Sequence, residues 1–160
     1  MAPQDPVKPP GPQGPSLKGR ALRLLSMREH SRVELERKLA SHEQTPGELA
    51  RALDDLAAKG FINEERVMES VLHRRAARLG AGRIRQELQA KGLEGELVAQ
   101  AMAQLKDTEL SRARDVWRRK FDQLPQDAAQ RAKQSRFLAA RGFGGEVIRK
   151  VLAGGAGEND

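Results

Sequence analysis

Arginines are the residues of this chain whose number and spacing could do chemistry. Arg74, Arg75, Arg78, Arg83 and Arg85 fall around one helix-helix junction, and Arg112, Arg114, Arg118, Arg119, Lys120, Arg131, Lys133, Arg136 and Arg141 crowd a later stretch. A guanidinium is a planar, permanently charged fork of donors, and it fits carboxylate or phosphate oxygens two at a time. Acids are sparse around the later group: residues 107–152 hold eleven Lys and Arg against six Asp and Glu, which is +5 of the chain's net +7. Self-neutralisation is incomplete there, so the chemistry on offer is the binding of a polyanion or of an acidic protein surface. Contacts to nucleic acid would go to phosphates and weaken with salt. Charge clustering alone selects Arg74, Arg75, Arg78, Arg83, Arg85, Arg118, Arg119, Arg131, Lys133 and Arg141 as the partner-binding residues.

No constellation for catalysis accompanies them. His30, His42 and His73 lie at module edges with no carboxylate or second histidine at ligand spacing, and they read as neutral surface histidines. Gly80-Ala81-Gly82 lacks a third glycine and a preceding strand, and no Gly-Lys-Ser/Thr occurs, so it reads as a helix start that needs small residues rather than a phosphate loop. Without cysteine there is no disulfide, thiolate metal site or thiol nucleophile. We therefore expect no enzyme, no catalytic residue, no metal and no cofactor. Trp117 and four phenylalanines are the only aromatics, mostly on core stripes, which weighs against single-strand binding by base stacking.

The elements that must carry the arginines are short helices. Hydrophobic residues make up 38% of the chain and aromatics 3%, a balance that suits thin helical assemblies rather than a deep core. Residues 1–15 hold six of the eight prolines and should form a disordered tail. Leu17, Ala21, Leu24 and Leu25 recur at the helical period. Ser31 with Glu34 forms a capping box ahead of Leu35 and Leu39, and Thr45-Pro46-Gly47-Glu48 suggests another, with proline at the first helical position. Asn63 caps a fourth helix, whose stripe is Val67, Met68, Val71 and Leu72. Ile84 and Leu88 lie on one face of a fifth, closed by Gly92. Leu97 to Leu105 form a sixth. A seventh carries Leu110, Ala113, Trp117, Phe121 and Leu124 up to Pro125; an eighth runs from about Asp127 to Arg141; a ninth holds Val147, Ile148, Val151 and Leu152. Residues 153–160 should fray.

An offset of about 50 residues relates these segments. Moving forward by 50 lays Leu88 on Leu138, Gly92 on Gly142 and Val98 on Ile148, and moving back by 49 lays Ile84 on Leu35 and Leu88 on Leu39. This predicts an all-α chain of three tandem three-helix repeats, at 16–62, 63–106 and 107–152, packed end to end into an elongated curved rod.

Three segments carry a resemblance to a known family. Arg20 to Leu39 contains an Arg28-Glu29-His30-Ser31 junction and a Glu34-Leu35-Glu36-Arg37-Lys38-Leu39 helix. Gly80 to Leu93 holds Arg83-Ile84-Arg85-Gln86-Glu87-Leu88, and Arg136-Phe137-Leu138 precedes Arg141-Gly142-Phe143, with Phe61-Ile62-Asn63-Glu64-Glu65-Arg66 as a joint. Together they resemble the RecX family of recombinase regulators over roughly residues 17–152. The resemblance implies three tandem three-helix repeats and a protein that is not an enzyme. It implies binding to the RecA recombinase and its filament on single-stranded DNA, with inhibition of strand exchange, ATP hydrolysis and co-protease activity, and hence modulation of recombinational repair and the SOS response. It names no contact residues. Two departures stand out: there is no tyrosine, and Leu79 occupies a position where the family usually has an aromatic, so no stacking role carries over.

The competing reading is an autonomous basic helical DNA-binding protein, in which the Gly92 turn would join two helices of a helix-turn-helix. Its recognition helix would begin at Glu94-Gly95-Glu96, and acids there repel phosphate. No apolar run reaches membrane-spanning length and no secretory leader is evident, so the expectation is a cytoplasmic monomer that meets RecA, and the single-stranded DNA phosphates within its filament, with no membrane partner.

Overall fold

The computed structural model describes residues 14–154. The proline-rich tail and the frayed C-terminus expected from the sequence fall almost entirely outside the described residues. Within them the chain is helical without a strand: α1 Leu17–Met27, α2 Arg32–Leu39, a 3-10 turn Ala40–His42, α3 Glu48–Ala58, α4 Glu64–Arg75, α5 Ala81–Ala90, α6 Glu96–Lys106, α7 Glu109–Lys120, α8 Ala128–Ala140 and α9 Gly145–Ala153. The chain forms two compact units, one ending at Ile62 and the other beginning at Asn63.

In the first unit Leu17, Ala21, Leu35, Leu39, Leu49, Leu53, Leu56 and Ile62 form the buried core. The capping box at Ser31 is complete: its hydroxyl accepts from the Glu34 amide at 3.1 Å, and Glu34 Oε1 accepts from the Ser31 amide at 3.0 Å. The box at Thr45 is half formed: Glu48 Oε2 accepts from the Thr45 amide at 3.2 Å, but the Thr45 hydroxyl caps no helix amide. Gly47, at φ 85°, is the N-cap of α3, so Pro46 belongs to the turn before the helix, and Glu43 Oε2 accepts from the Leu49 amide at 2.8 Å instead. Asp55 on α3 ties the helix to α1 through Lys18 at 2.6 Å, with Lys59 at 2.9 Å on the same oxygen.

His30 departs from the sequence reading. It is not a surface residue but is 1% exposed. Its Nδ1 lies 3.0 Å from the Arg28 carbonyl and its Nε2 3.3 Å from Lys38 Nζ, so a neutral ring that donates from Nδ1 and accepts at Nε2 satisfies both. Burial lowers its pKa from the ordinary 6.5, and Arg28 and Lys38 push the same way against the Arg28 carbonyl and Glu34. The unfolded chain then takes up a proton that the folded one resists. The stability this group contributes is present above pH 6.5 and is lost as pH falls through the lower folded value. Urea unfolding between pH 8 and about pH 5 should show the first unit weakening, and His30→Gln, a neutral donor-acceptor, should flatten that slope.

The second unit carries two cores. Val67, Met68, Val71, Leu72, Ile84, Leu88, Leu93, Val98, Ala101 and Leu105 join α4, α5 and α6. Ala113, Val116, Leu138, Phe143, Ile148, Val151 and Leu152 join α7, α8 and α9. The ends of α5 and α8 are built alike: Gly92 and Gly142 take φ of 83° and 97°, and the amides of Leu93 and Phe143 reach back to the Leu88 and Leu138 carbonyls at 3.0 and 3.2 Å. Helix α7 stops earlier than the pattern predicts. Phe121 is its extended C-cap, and its ring packs edge-on against Phe137 of α8 at 5.3 Å between centroids. Leaving the helix lets it meet α8, while Leu124 stays 36% exposed. Trp117 is half-buried, and its indole N–H finds a partner inside: it donates to Gln134 Oε1 at 2.7 Å, and the buried Gln134 amide donates to the Gln123 carbonyl at 3.1 Å.

Candidate anion-binding cleft

The two cores of the second unit are joined by backbone. The first amides of a helix have no partner within it. At α5 they are satisfied by the third repeat: Gly80 N–H donates to the Arg141 carbonyl at 2.7 Å, Ala81 N–H to Glu109 Oε1 at 2.9 Å and Gly82 N–H to the Gly142 carbonyl at 3.0 Å. A Cβ at Gly80 would lie 2.5 Å from the Gly142 backbone, which is why small residues stand there. Arg112 completes the joint. Its Nη1 donates to the carbonyls of Ala76 and Leu79, both at 2.8 Å, its Nη2 to Glu109 at 2.6 Å, and its Nε to Thr108 Oγ1 at 3.0 Å. The side chains of Arg112 and Glu109 are each 12% exposed. Sequence reasoning placed Arg112 among the charge crowd and missed this role. Its spacing of three from Glu109 was the one local signal.

This joint sets the positions of the cations expected to bind a partner. Arg78, Arg119, Lys120 and Arg141 converge with Val116 and Phe137 on one cleft of 340 Å³, whose lining contains no acid. Arg119 is anchored through Nη2 to the Ala77 carbonyl at 2.8 Å and through Nε to the Asp115 carbonyl at 3.2 Å. The Arg141 guanidinium lies 4.8 Å from the centre of the Phe137 ring, and Lys120 Nζ 5.9 Å from it. The ring holds the two charges close together without neutralising them. Four cations around a half-apolar cleft form a receptor for carboxylate or phosphate oxygens.

The other sequence candidates are dispersed. Arg74 and Arg75 share Glu87, at 3.8 and 3.0 Å, and are partly neutralised by it. Arg83 donates to the Ala140 carbonyl at 2.8 Å and braces the joint. Arg118 pairs with Asp115 at 3.2 Å on the surface. Lys133 borders a smaller recess beside Phe121 and Gln134. Arg131 is exposed on α8, apart from these groups. Arg85 faces a different groove, with Lys106 and Lys150. Lys120 was not among the selected residues, although it was counted in the same crowd. Among the described residues there is no cluster of His, Cys, Asp or Glu that could hold a metal ion, and no helix is long and apolar enough to cross a membrane.

A helical repeat protein with a basic cleft at a repeat joint is the class these features define. Family models match the chain in three consecutive pieces: the first three-helix domain of RecX over residues 18–56, the second over 63–102 and the third over 107–152. The Regulatory protein RecX of Leptothrix cholodnii is 55% identical over 137 residues, covering 86% of this chain and 87% of that one. That of Ralstonia nicotianae is 46% identical over 139 residues, covering 87% of each. The fold is also that of a crystal structure of RecX from Lactobacillus salivarius, with a TM-score of 0.72 at 18% identity over 86% of this chain and 92% of that one. The chain belongs to the RecX family of regulatory proteins.

Proposed function

We propose that this chain binds the RecA recombinase and its filament on single-stranded DNA, and there inhibits strand exchange, ATP hydrolysis and co-protease activity, so modulating recombinational repair and the SOS response. It acts in the cytoplasm as a monomer, without a cofactor and without catalysis of its own. The observation that carries this reading beyond family membership is the convergence of Arg78, Arg119, Lys120 and Arg141 on one acid-free cleft. That cleft would take acidic side chains of the filament or the phosphates it encloses. The joint between the second and third repeats brings together the elements that carry the four charges, and Arg119 is held by two carbonyls, so a partner is met by a partly prearranged site at a smaller ordering cost.

Charge reversal tests the assignment. The triple variant Arg78→Glu, Arg119→Glu, Arg141→Glu should raise the concentration for half-inhibition of RecA filaments by about tenfold or more, equivalent to ~1.4 kcal/mol. Reversal of Arg74 and Arg75, which already share Glu87, should have a smaller effect. Equal effects of the two variants, with both melting like the parent, would remove the cleft from the account. The recognition-helix reading finds no support at α6, whose N-terminal turn exposes Glu94 and Glu96.

A further inference from the structure

Gly142, next to the Arg141 of the basic cleft, borders a larger groove of 630 Å³ in the same unit. Its floor is aliphatic. Ala81 and Met102 come from the edge of one core, and Leu110 and Val147 from the edge of the other; all four are half-buried. Its rim is cationic, with Arg85, Lys106 and Lys150 exposed. Two acids border it. Glu109 is already engaged by Arg112 and by the Ala81 amide. Glu146 is exposed and only 3.9 Å from Lys150, a loose surface pair that exchanges readily. Gly144 leaves open space at the groove wall, since a Cβ there would meet nothing within 4 Å.

We propose that this groove docks a protein segment bearing aliphatic side chains flanked by Asp or Glu. The aliphatic floor accepts leucine-like anchors, and the three rim cations select acidic flanks and repel basic ones. Nucleic acid is the poorer occupant. The groove offers no aromatic surface for bases, and its lining carries two acids, Glu109 and Glu146. The molecule thus presents two different receptors that share the Arg141-Gly142 turn: four cations around an acid-free, half-apolar cleft, and an aliphatic groove ringed by charge. Arg85, stranded by the cleft, belongs to the second.

The test uses the full chain and a fluorescein-labelled dodecapeptide carrying two leucines four residues apart among glutamates, followed by anisotropy. The peptide should bind, and replacing its leucines with serine should weaken binding by about tenfold or more. Gly144→Phe, which fills the groove from an unstrained position at φ −77°, should weaken it to a similar degree, as should Lys106→Glu with Lys150→Glu. Binding of oligothymidylate should be the same for Gly144→Phe and the parent. No binding of the leucine peptide, equal binding of the serine peptide, or unchanged affinity in Gly144→Phe overturns the proposal. So does a matching loss of oligothymidylate binding, which would make the groove part of one polyanion surface. So does a change in the sedimentation of Gly144→Phe alone, which would make it a contact between copies of this chain. Neither RecA nor ATP is present, so failure here leaves the reading of filament inhibition where it stood.

Discussion

Replacing Gly142 by alanine should destabilise the second unit by about 3 kcal/mol, within the ~2–5 to which a positive-φ penalty of ~1–2 and an overpacking cost of ~1–3 add. Gly142 sits at φ 97°, and a Cβ there would lie 2.5 Å from the Arg83 amide nitrogen and 2.6 Å from Arg83 Cγ. The backbone nitrogen cannot give way, because Gly82 N–H one residue earlier is bonded to the Gly142 carbonyl at 3.0 Å. Relief of the clash would part the turn from α5 and leave the amides of Gly80 and Gly82 without acceptors. For a unit of this size the melting temperature should fall by roughly 12 °C or more. Gly144→Ala is the control: φ is −77° and the space is open, so apart from a small loss at the N-cap of α9 it should melt much closer to the parent. Identical melting of the two alanine variants by circular dichroism would contradict the close approach.

Arg112→Met should cost about 3 kcal/mol, in the range for breaking an enclosed ion pair whose partner stays behind. Methionine keeps most of the stem volume but removes the fork, so the carbonyls of Ala76 and Leu79 lose their donor and Glu109 keeps a poorly solvated charge. Arg112→Lys should recover only part, because one ammonium cannot reach two carbonyls and a carboxylate in that plane. The double variant Arg112→Met, Glu109→Gln should be more stable than Arg112→Met alone. Glutamine is neutral and its oxygen can still accept from the Ala81 amide. Additive losses in that cycle, measured by urea unfolding, would show the pair to be uncoupled.

What could be read in the sequence is what local rules encode. The capping box at Ser31 and Glu34, the cap at Asn63 and the glycine ends of α5 and α8 depend on residues within six positions of one another, and each forms. Stripes at the helical period find Leu35, Val71, Ile84, Leu88, Leu138 and Ile148 in the cores. Leu24 and Trp117, selected by the same rule, sit half-buried at core edges, because short helices have broad flanks. The candidate site was legible as a charge excess but not as a place. Arg78 and Arg141 meet only because Gly80 and Gly82 bond across to Arg141 and Gly142, partners some sixty residues away that no periodicity announces. Arg112 looks like any surface arginine until the turn after α4 lays the Ala76 and Leu79 carbonyls over it. His30 sits in a polar junction whose neighbours suggest solvent, yet α2 folds back and encloses it.

The most direct test of the central claim is ATP hydrolysis by preassembled RecA filaments on single-stranded DNA, titrated with this protein at fixed salt, with its binding to the bare strand measured in parallel. Hydrolysis should fall at concentrations where the protein alone hardly binds DNA, because the filament is the target. Hydrolysis that falls only once the bare strand is already coated would contradict it and make the chain a competing DNA binder.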